Sequence, residues 1–285
     1  MDTAQDITTQ ILQKTQDPID LHTAQLTHAE KLFYLGEFDA ANEHFNQSIA
    51  LYKPEMRAAL SHLWMDTEVV DLTYSALVRW SLGYPQQALN KVLEAVNVAQ
   101  TYGQPVSEAC AHCLGAIVHL NRNEASVSEK HANAAIVLST DYGLPQWLAL
   151  REILHGGALI AQGRIDKGME QAGAAFDGWQ STGTKLWQSL IQSFLAKGCG
   201  KRKEFEKAHA HIDEALAYIA NSHERFHEAE LHRLNGELPL QQSEDNHFEA
   251  EGCYQKSLRV SRKQEAKSLE LRAATSLARL WQQQG

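Results

Sequence analysis

One segment recurs along this chain, and the step between its copies constrains the fold more than any single motif. Residues 34–51 (YLGEFDAANEHFNQSIAL) read as the end of one helix, a Gly turn and a second amphipathic helix, and residues 81–98 (SLGYPQQALNKVLEAVNV) repeat that reading. A further shift of 40 lays residues 101–105 (TYGQP) on residues 141–145 (DYGLP), puts Gly103, Gly143 and Gly183 in register, and sets Trp147 and Trp187 the same 40 apart. The turns between paired helices then fall at Gly36, Gly83, Asn123, Gly163, Lys203, Asp245 and Gly285, in steps of 47, 40, 40, 40, 42 and 40. A fixed period of this length built from helix-turn-helix units predicts an all-α solenoid of six to seven helical hairpins stacked in a right-handed superhelix.

Repeat arrays escape the usual arithmetic of domain number, because each unit packs on its neighbours alone, so the 285 residues are read as a single array over 1–285. A 44% hydrophobic and 21% charged composition is that of a folded chain with a continuous core. The formal net charge of −9 disfavours a phosphate-tracking surface, so no nucleic-acid partner is expected. The one basic cluster, Lys197 to Lys207, is interrupted by Glu204 and Glu206 and reads as a solvated turn and helix start. The acidic start of the chain has no apolar core of a signal peptide, and its four cysteines fit a reducing cytoplasm. No apolar run is long enough to span a membrane.

Taken in order, residues 7–16 form a lone second helix stopped by Asp17-Pro18. The pairs 19–35/38–53, 67–82/85–101, 105–122/124–141, 145–162/165–181, 185–200/204–221 and 223–242/246–263 follow, and a last first helix covers 266–284. The array is ragged at both ends and reads as a fragment of a longer one. Second helices carry small or apolar residues at a spacing of four then three: Ala41/Phe45/Ser48, Ala88/Val92/Ala95, Gly168/Ala172/Ala175 and Ala208/Ile212/Ala215. These positions share one helical face and let the paired helix approach closely. The 47-residue step holds an insertion around 53–66, where Pro54 breaks the preceding helix. In the last helix Leu269, Ala273, Leu277 and Leu280 make a stripe with no second helix to cover it, together with Trp281, so self-association through this C-terminal helix is expected.

The repeated Gly-x-aromatic-x-x-Ala pattern resembles the tetratricopeptide repeat over essentially the whole chain, and the 40-residue period resembles the helical arrays of MalT-like bacterial regulators. Residues 35–41 (LGEFDAA), 82–89 (LGYPQQAL), 227–238 (HEAELHRLNGEL) and 266–281 (AKSLELRAATSLARLW) together resemble the C-terminal region of large bacterial signalling proteins. Those proteins join a class III adenylate or guanylate cyclase, or another output domain, to an ATPase module. Both catalytic modules are missing here, so the resemblance implies a non-catalytic regulatory or sensor array. It also places the concave face at the residues 13, 10, 6, 3 and 2 before each turn. The face then holds Thr23, Leu26, Glu30, Phe33 and Tyr34, then Val70, Thr73, Leu77, Trp80 and Ser81, then Leu150, Ile153, Gly157, Ile160 and Ala161. Further on it turns polar, with Ser193, Lys197, Lys201, Glu230, Arg233, Glu237, Arg272 and Arg279.

Two readings of this face stay open. Leu26, Glu30, Phe33, Tyr34, Thr73, Leu77, Trp80, Leu150, Ile153, Ile160, Lys197 and Arg233 either bind a peptide or helix, from a partner protein or from the output domain of a parent protein, or are packing residues of long helices. A small-molecule sensor relaying to a cyclase or transcription output domain is the alternative function. Residues 223–227 spell H-E-x-x-H, in which two imidazoles one turn apart hold zinc and the Glu activates water; this remote alternative makes the chain a zinc hydrolase. The string falls at a repeat junction, where Glu224 instead favours the positive end of a starting helix. Cys110 and Cys113 lack a second pair at zinc-ribbon spacing, and residues 198–202 (GCGKR) lack the first Gly and the Ser/Thr of a phosphate loop. The expectation is therefore no enzyme, no metal and no cofactor.

Overall fold

In this computed structural model the described residues are 8, 10–141, 145–222, 224–243 and 246–284, with the side chains of 136–141 and 145 left out. After a helical stretch at 10–14 come fourteen helices, and no strand occurs among the described residues. They are α1 (Pro18–Leu35), α2 (Phe38–Leu51), α3 (Met56–Leu60), α4 (Thr67–Ser81), α5 (Pro85–Tyr102), α6 (Pro105–Asn121), α7 (Ala125–Asp141), α8 (Pro145–Ala161), α9 (Ile165–Ser181), α10 (Gln188–Lys201), α11 (Phe205–Ser222), α12 (Glu228–Gln242), α13 (His247–Lys263) and α14 (Lys267–Gln284). Proline opens α1, α5, α6 and α8, where its missing N–H is not needed and its fixed φ suits the first helical position. Asp17 caps α1, its Oδ1 accepting from the backbone N–H groups of Ile19 and Asp20.

The turns inside the hairpins share one closure. Gly36, Gly83, Asn123, Gly163 and Lys203 all have φ between 61° and 94°. At each, the following residue donates its N–H five residues back: Glu37 to Leu32, Tyr84 to Arg79, Glu124 to His119, Arg164 to Leu159 and Glu204 to Cys199, at 2.8–2.9 Å. This is the six-to-one bond of a helix C-cap with a left-handed residue, and it is why three of the five positions are Gly. The same closure joins α13 to α14, with Glu265 at φ 55° and Ala266 donating to Ser261. The turn positions Asp245 and Gly285 lie outside the described residues, as do Gly143, Ile7 and His223.

The chain divides into two compact units, residues 1–80 with 84–148, and 81–83 with 149–285. In the first, α1/α2, α4/α5 and α6/α7 form hairpins, and Phe33, Phe38 and Phe45 are fully enclosed, with Tyr74 stacked on Phe45 at 6.3 Å between centroids. Ala41, Ser48, Ala88, Val92 and Ala95 are all buried, as expected. The insertion forms α3, held by Arg57. Its guanidinium bonds Asp66 and Glu68 and lies 3.3 Å from the centre of the Tyr102 ring, a cation–π contact that ties the insertion to the end of α5.

In the second unit Ala208, Ile212 and Ala215 are buried as expected, but α9 departs from the expected stripe. Gly168 and Ala172 are buried while Ala175 is only half-buried, and Phe176 and Trp179 turn inward instead. Near the start of α9 this helix and α8 cross backbone to backbone, since a Cβ on Gly156 would lie 2.7 Å from the Gly168 carbonyl and one on Gly168 2.6 Å from that of Gly156. The stripe in α14 is a second correction. Leu269, Ala273, Leu277 and Leu280 are all buried, the last three in one cluster with Ala250, Tyr254 and Leu258 of α13. A first helix is thus covered by the second helix before it. The large hydrophobic side chains of α14 left outward are Leu271, 69% exposed, and Trp281, 49% exposed, with Trp281 Nε1 donating to Glu251.

Polar residues pair across the hairpins at a constant separation of 19: Gln25 with His44, His112 with His131, Glu152 with Gln171 and Gln192 with His211. Histidines that look scattered in the sequence therefore occupy a repeated structural position.

Candidate functional site

The catalytic-looking strings are absorbed by structure. Glu224 is 3% exposed and works as a cap from the following repeat. Its Oε2 accepts the Trp187 N–H at 2.8 Å, and its Oε1 accepts the Ser189 N–H at 3.2 Å and the Ser189 hydroxyl at 2.7 Å. Trp187 sits at φ 66°, which delays the start of α10 to Gln188, three residues past the expected start. Burial pushes the Glu224 carboxyl up to about 7 against the pull of these donors. His227 is buried with Nε2 3.1 Å from Ser193 Oγ, and burial pulls its pKa down to about 3. With the Glu committed to a helix end, the string has no base to offer a zinc-bound water. No group of three or more His, Cys, Asp or Glu among the described residues is arranged to hold a metal ion.

A Ser/His/Asp set invisible in the sequence does assemble in the first unit. Ser48 Oγ donates to Asp71 Oδ2 at 2.9 Å and lies 2.9 Å from His22 Nδ1, while His22 Nε2 lies 2.9 Å from Thr67 Oγ1. All three residues are sealed at 0% exposure, and the Asp holds the Ser rather than orienting the far nitrogen of the His. This is a core network joining α1, α2 and α4, not a nucleophile with its base. Cys110 is equally enclosed, its thiol pushed up to about 12 by burial, and Lys201 of the phosphate-loop-like string donates to the Ile160 carbonyl at 2.7 Å.

The aliphatic and aromatic members of the expected concave face point into protein. Leu26, Phe33, Tyr34, Thr73, Leu77 and Trp80 in the first unit, and Leu150, Ile153 and Ile160 in the second, are each at most 8% exposed. Phe33 and Tyr34 meet Tyr74 edge-on, with the Tyr34 and Tyr74 hydroxyls 2.8 Å apart. Tyr74 is not one of the five face positions, and its separation of 40 from Tyr34 does not match the 47-residue step between these two turns, so the repeat register did not point to this pair. Glu30 remains half-buried beside this cluster, and burial lifts its carboxyl to about 7.

In the second unit the polar members of the face converge. Glu230, only 1% exposed, is the centre. Arg233 donates to both of its oxygens at 2.9 Å, while Lys197 Nζ and an Arg272 guanidinium nitrogen each stand 3.3 Å from Oε1. Arg233 also reaches Glu237 and Ser276. Burial alone would raise the Glu230 carboxyl, but the three cations hold it well below the usual range. Burial also pulls the Lys197 amine below its ordinary value, although a third of the side chain still meets solvent. So Lys197 is not part of a solvated turn, as its basic neighbourhood in the sequence implies; Arg202, which pairs with Asp166, and Lys207, which pairs with Glu204, are. Alongside lies a cavity of about 140 Å³ between α10, α11 and α12, walled by Ala196, Ile212, Leu234 and Leu238 and edged by Lys197, Lys201, Glu237 and Gln241. Gly200 keeps it open, because a Cβ there would come within 2.9 Å of Leu238. Sequence reading named Lys197 and Arg233 as binding candidates but not Glu230, which holds them together.

No protein-family model matches this chain, and neither does any curated protein. Solved structures do. A Rap protein complexed with competence and sporulation factor superposes with a TM-score of 0.63 at 12% identity, over 99% of this chain and 80% of that one. The Rap conjugation gene regulator of the plasmid pLS20, in complex with the Phr* peptide, gives 0.61 at 9% identity over 93% and 76%. Aspartyl phosphate phosphatase F from Bacillus subtilis gives 0.55 at 11% identity over 98% and 74%. At these identities the likeness concerns the fold, which is that of a tetratricopeptide-like helical solenoid.

Proposed function

We propose that this chain is a non-catalytic interaction array that binds a peptide segment on the first-helix face of its second unit. One observation carries this reading: the first helices of three successive repeats, α10, α12 and α14, bring Lys197, Arg233 and Arg272 around one buried carboxylate, beside an open cavity. At about 140 Å³ the cavity is well short of the roughly 300–1,000 Å³ typical of small-molecule sites, which favours an anchoring side chain of a longer ligand over a whole metabolite. Of the structures of similar fold, one carries in its name the Phr* peptide it was solved with and another a competence and sporulation factor, which supports a bound partner of this kind here. The four segments that resemble cyclase-linked and ATPase-linked signalling proteins support a regulatory role, in which the peptide belongs to a partner or to an output domain. Panning a displayed random peptide library on the purified chain, and measuring the selected peptides by fluorescence anisotropy, tests the reading. Saturable binding that weakens in Lys197→Met is expected. A library that yields nothing tighter than about 1 mM (a binding free energy of about −4 kcal/mol) refutes it.

A further inference from the structure

We infer that the cavity between α10, α11 and α12 is an anchor subsite for an aliphatic side chain flanked by a carboxylate, so that the cognate peptide carries a Leu-like residue next to an acidic group. The inference rests on the peptide-binding reading and adds the chemistry of the ligand.

Size sets the first half. An apolar cavity of about 150 Å³ is known to accept a six-carbon ring, so about 140 Å³ holds the side chain of a Leu, Ile or Met and little more. Its walls are Ala196, Ile212, Leu234 and Leu238, which belong to the buried cluster at the centre of this part of the unit, so an aliphatic group entering it extends an existing core.

Charge sets the second half. Lys197 and Glu237 line the cavity and also belong to the ion cluster, so the two sites share an edge. Around that edge four cations, Lys197, Lys201, Arg233 and Arg272, face two carboxylates, Glu230 and Glu237. The surplus is positive in a chain whose net charge is −9. Glu230 is already saturated by Arg233, Arg272 and Lys197, whereas the Lys197 amine stands at 3.3 Å from it and a third of its side chain meets solvent. An incoming carboxylate beside Lys197 gains a charge-assisted hydrogen bond in surroundings that screen it less than water does, and it balances the surplus without displacing Glu230. An ammonium or guanidinium group at the same edge meets the surplus of like charge and is excluded.

The test uses the full chain and amide-capped pentapeptides holding one Leu among Gly and Ser, with Asp, Asn or Lys beside the Leu. A fourth peptide has Gly in place of Leu, and a fifth ends in a free-acid Leu with no Asp. Dissociation constants come from titration calorimetry of the wild-type chain, Lys197→Met and Lys197→Arg, each first shown to melt with the wild type. The Asp peptide should bind at least tenfold tighter than the Asn peptide. That advantage should vanish in Lys197→Met, return in Lys197→Arg, and require the Leu. Comparison with the free-acid peptide tells whether a side-chain or a terminal carboxylate is preferred. Equal binding of the Asp and Asn peptides, tighter binding of the Lys peptide, or an Asp preference that survives Lys197→Met overturns the inference. If library-selected peptides still bind in any of those cases, the peptide-binding reading stands without it; if no peptide of either set binds, both fall.

Discussion

Glu224 offers the sharpest test of how consecutive repeats are joined. Its carboxylate, 3% exposed, accepts the N–H groups of Trp187 and Ser189 and the Ser189 hydroxyl, and so fixes the start of α10 from a position 35 to 37 residues further on. In Glu224→Ala both N–H groups lose their acceptor. A buried donor left unpaired costs about 1–3 kcal/mol, so the pair costs about 2–6 kcal/mol and we expect a loss of about 4 kcal/mol. Glu224→Gln keeps one oxygen and turns an NH2 toward the other donors, so about half of that loss is expected. The carboxyl stands at about 7, above its unfolded value of 4.5, so the stability it contributes is present below 4.5 and is lost as pH rises through about 7. The penalty of the neutral Gln relative to wild type should therefore shrink between pH 5 and pH 8. Urea denaturation at both pH values measures the loss, and hydrogen exchange locates it, with amides of 187–192 losing protection first. A cost under about 1 kcal/mol for Glu224→Ala, with those amides as protected as before, would refute the idea that this carboxylate joins the repeats.

Ala88→Asp and Ala215→Asp each place a charge at a position of 0% exposure between packed helices, and each should cost several kcal/mol in a thermal melt; a near-native Tm in either would contradict the helix register. His131 has its pKa lowered to about 4, chiefly by burial and then by His112 and His119, so its contribution is present above the ordinary value of 6.5 and is lost as pH falls toward 4. His131→Gln, which copies Gln171 of the next hairpin, should flatten the acid side of the stability profile, and an unchanged profile would count against the assignment. Glu30, lifted to about 7, has the opposite sign: Glu30→Gln should gain stability relative to wild type as pH rises from 5 to 8 in paired denaturation curves. His227→Ala should destabilise the chain by removing a buried group bonded to Ser193, and zinc added to the wild type should leave its melting unchanged; a zinc-induced rise in Tm that this substitution abolishes would restore the metal reading.

The turns were legible because the period fixed their register, even where the residue was Lys203 or Asn123 rather than Gly. A left-handed cap can be read by position once its neighbours are known. Helix bounds followed to within a few residues, except at α10 and α12, where the Trp187 conformation and the Glu224 cap reshape the junctions. The first-helix face was legible only in part. A position names a face but not its exposure, so Phe33 and Ile153 look like groove residues in sequence and are core residues in space. Glu230 looked like one more face charge, because its role depends on cations that arrive from α10 and α14, 33 and 42 residues away.

The polar pairs at a separation of 19 have an evolutionary consequence. Each is closed within its own hairpin, so a tandem duplication of one 40-residue unit carries donor and acceptor together and never strands half of a pair in a new neighbourhood. Within such a copy the two positions can then change in step without asking any other hairpin to follow, and Glu152/Gln171 does differ at both members from Gln25/His44 and Gln192/His211. An engineer adding or excising hairpins should cut between these cassettes and leave both members of every pair on the same side of the cut.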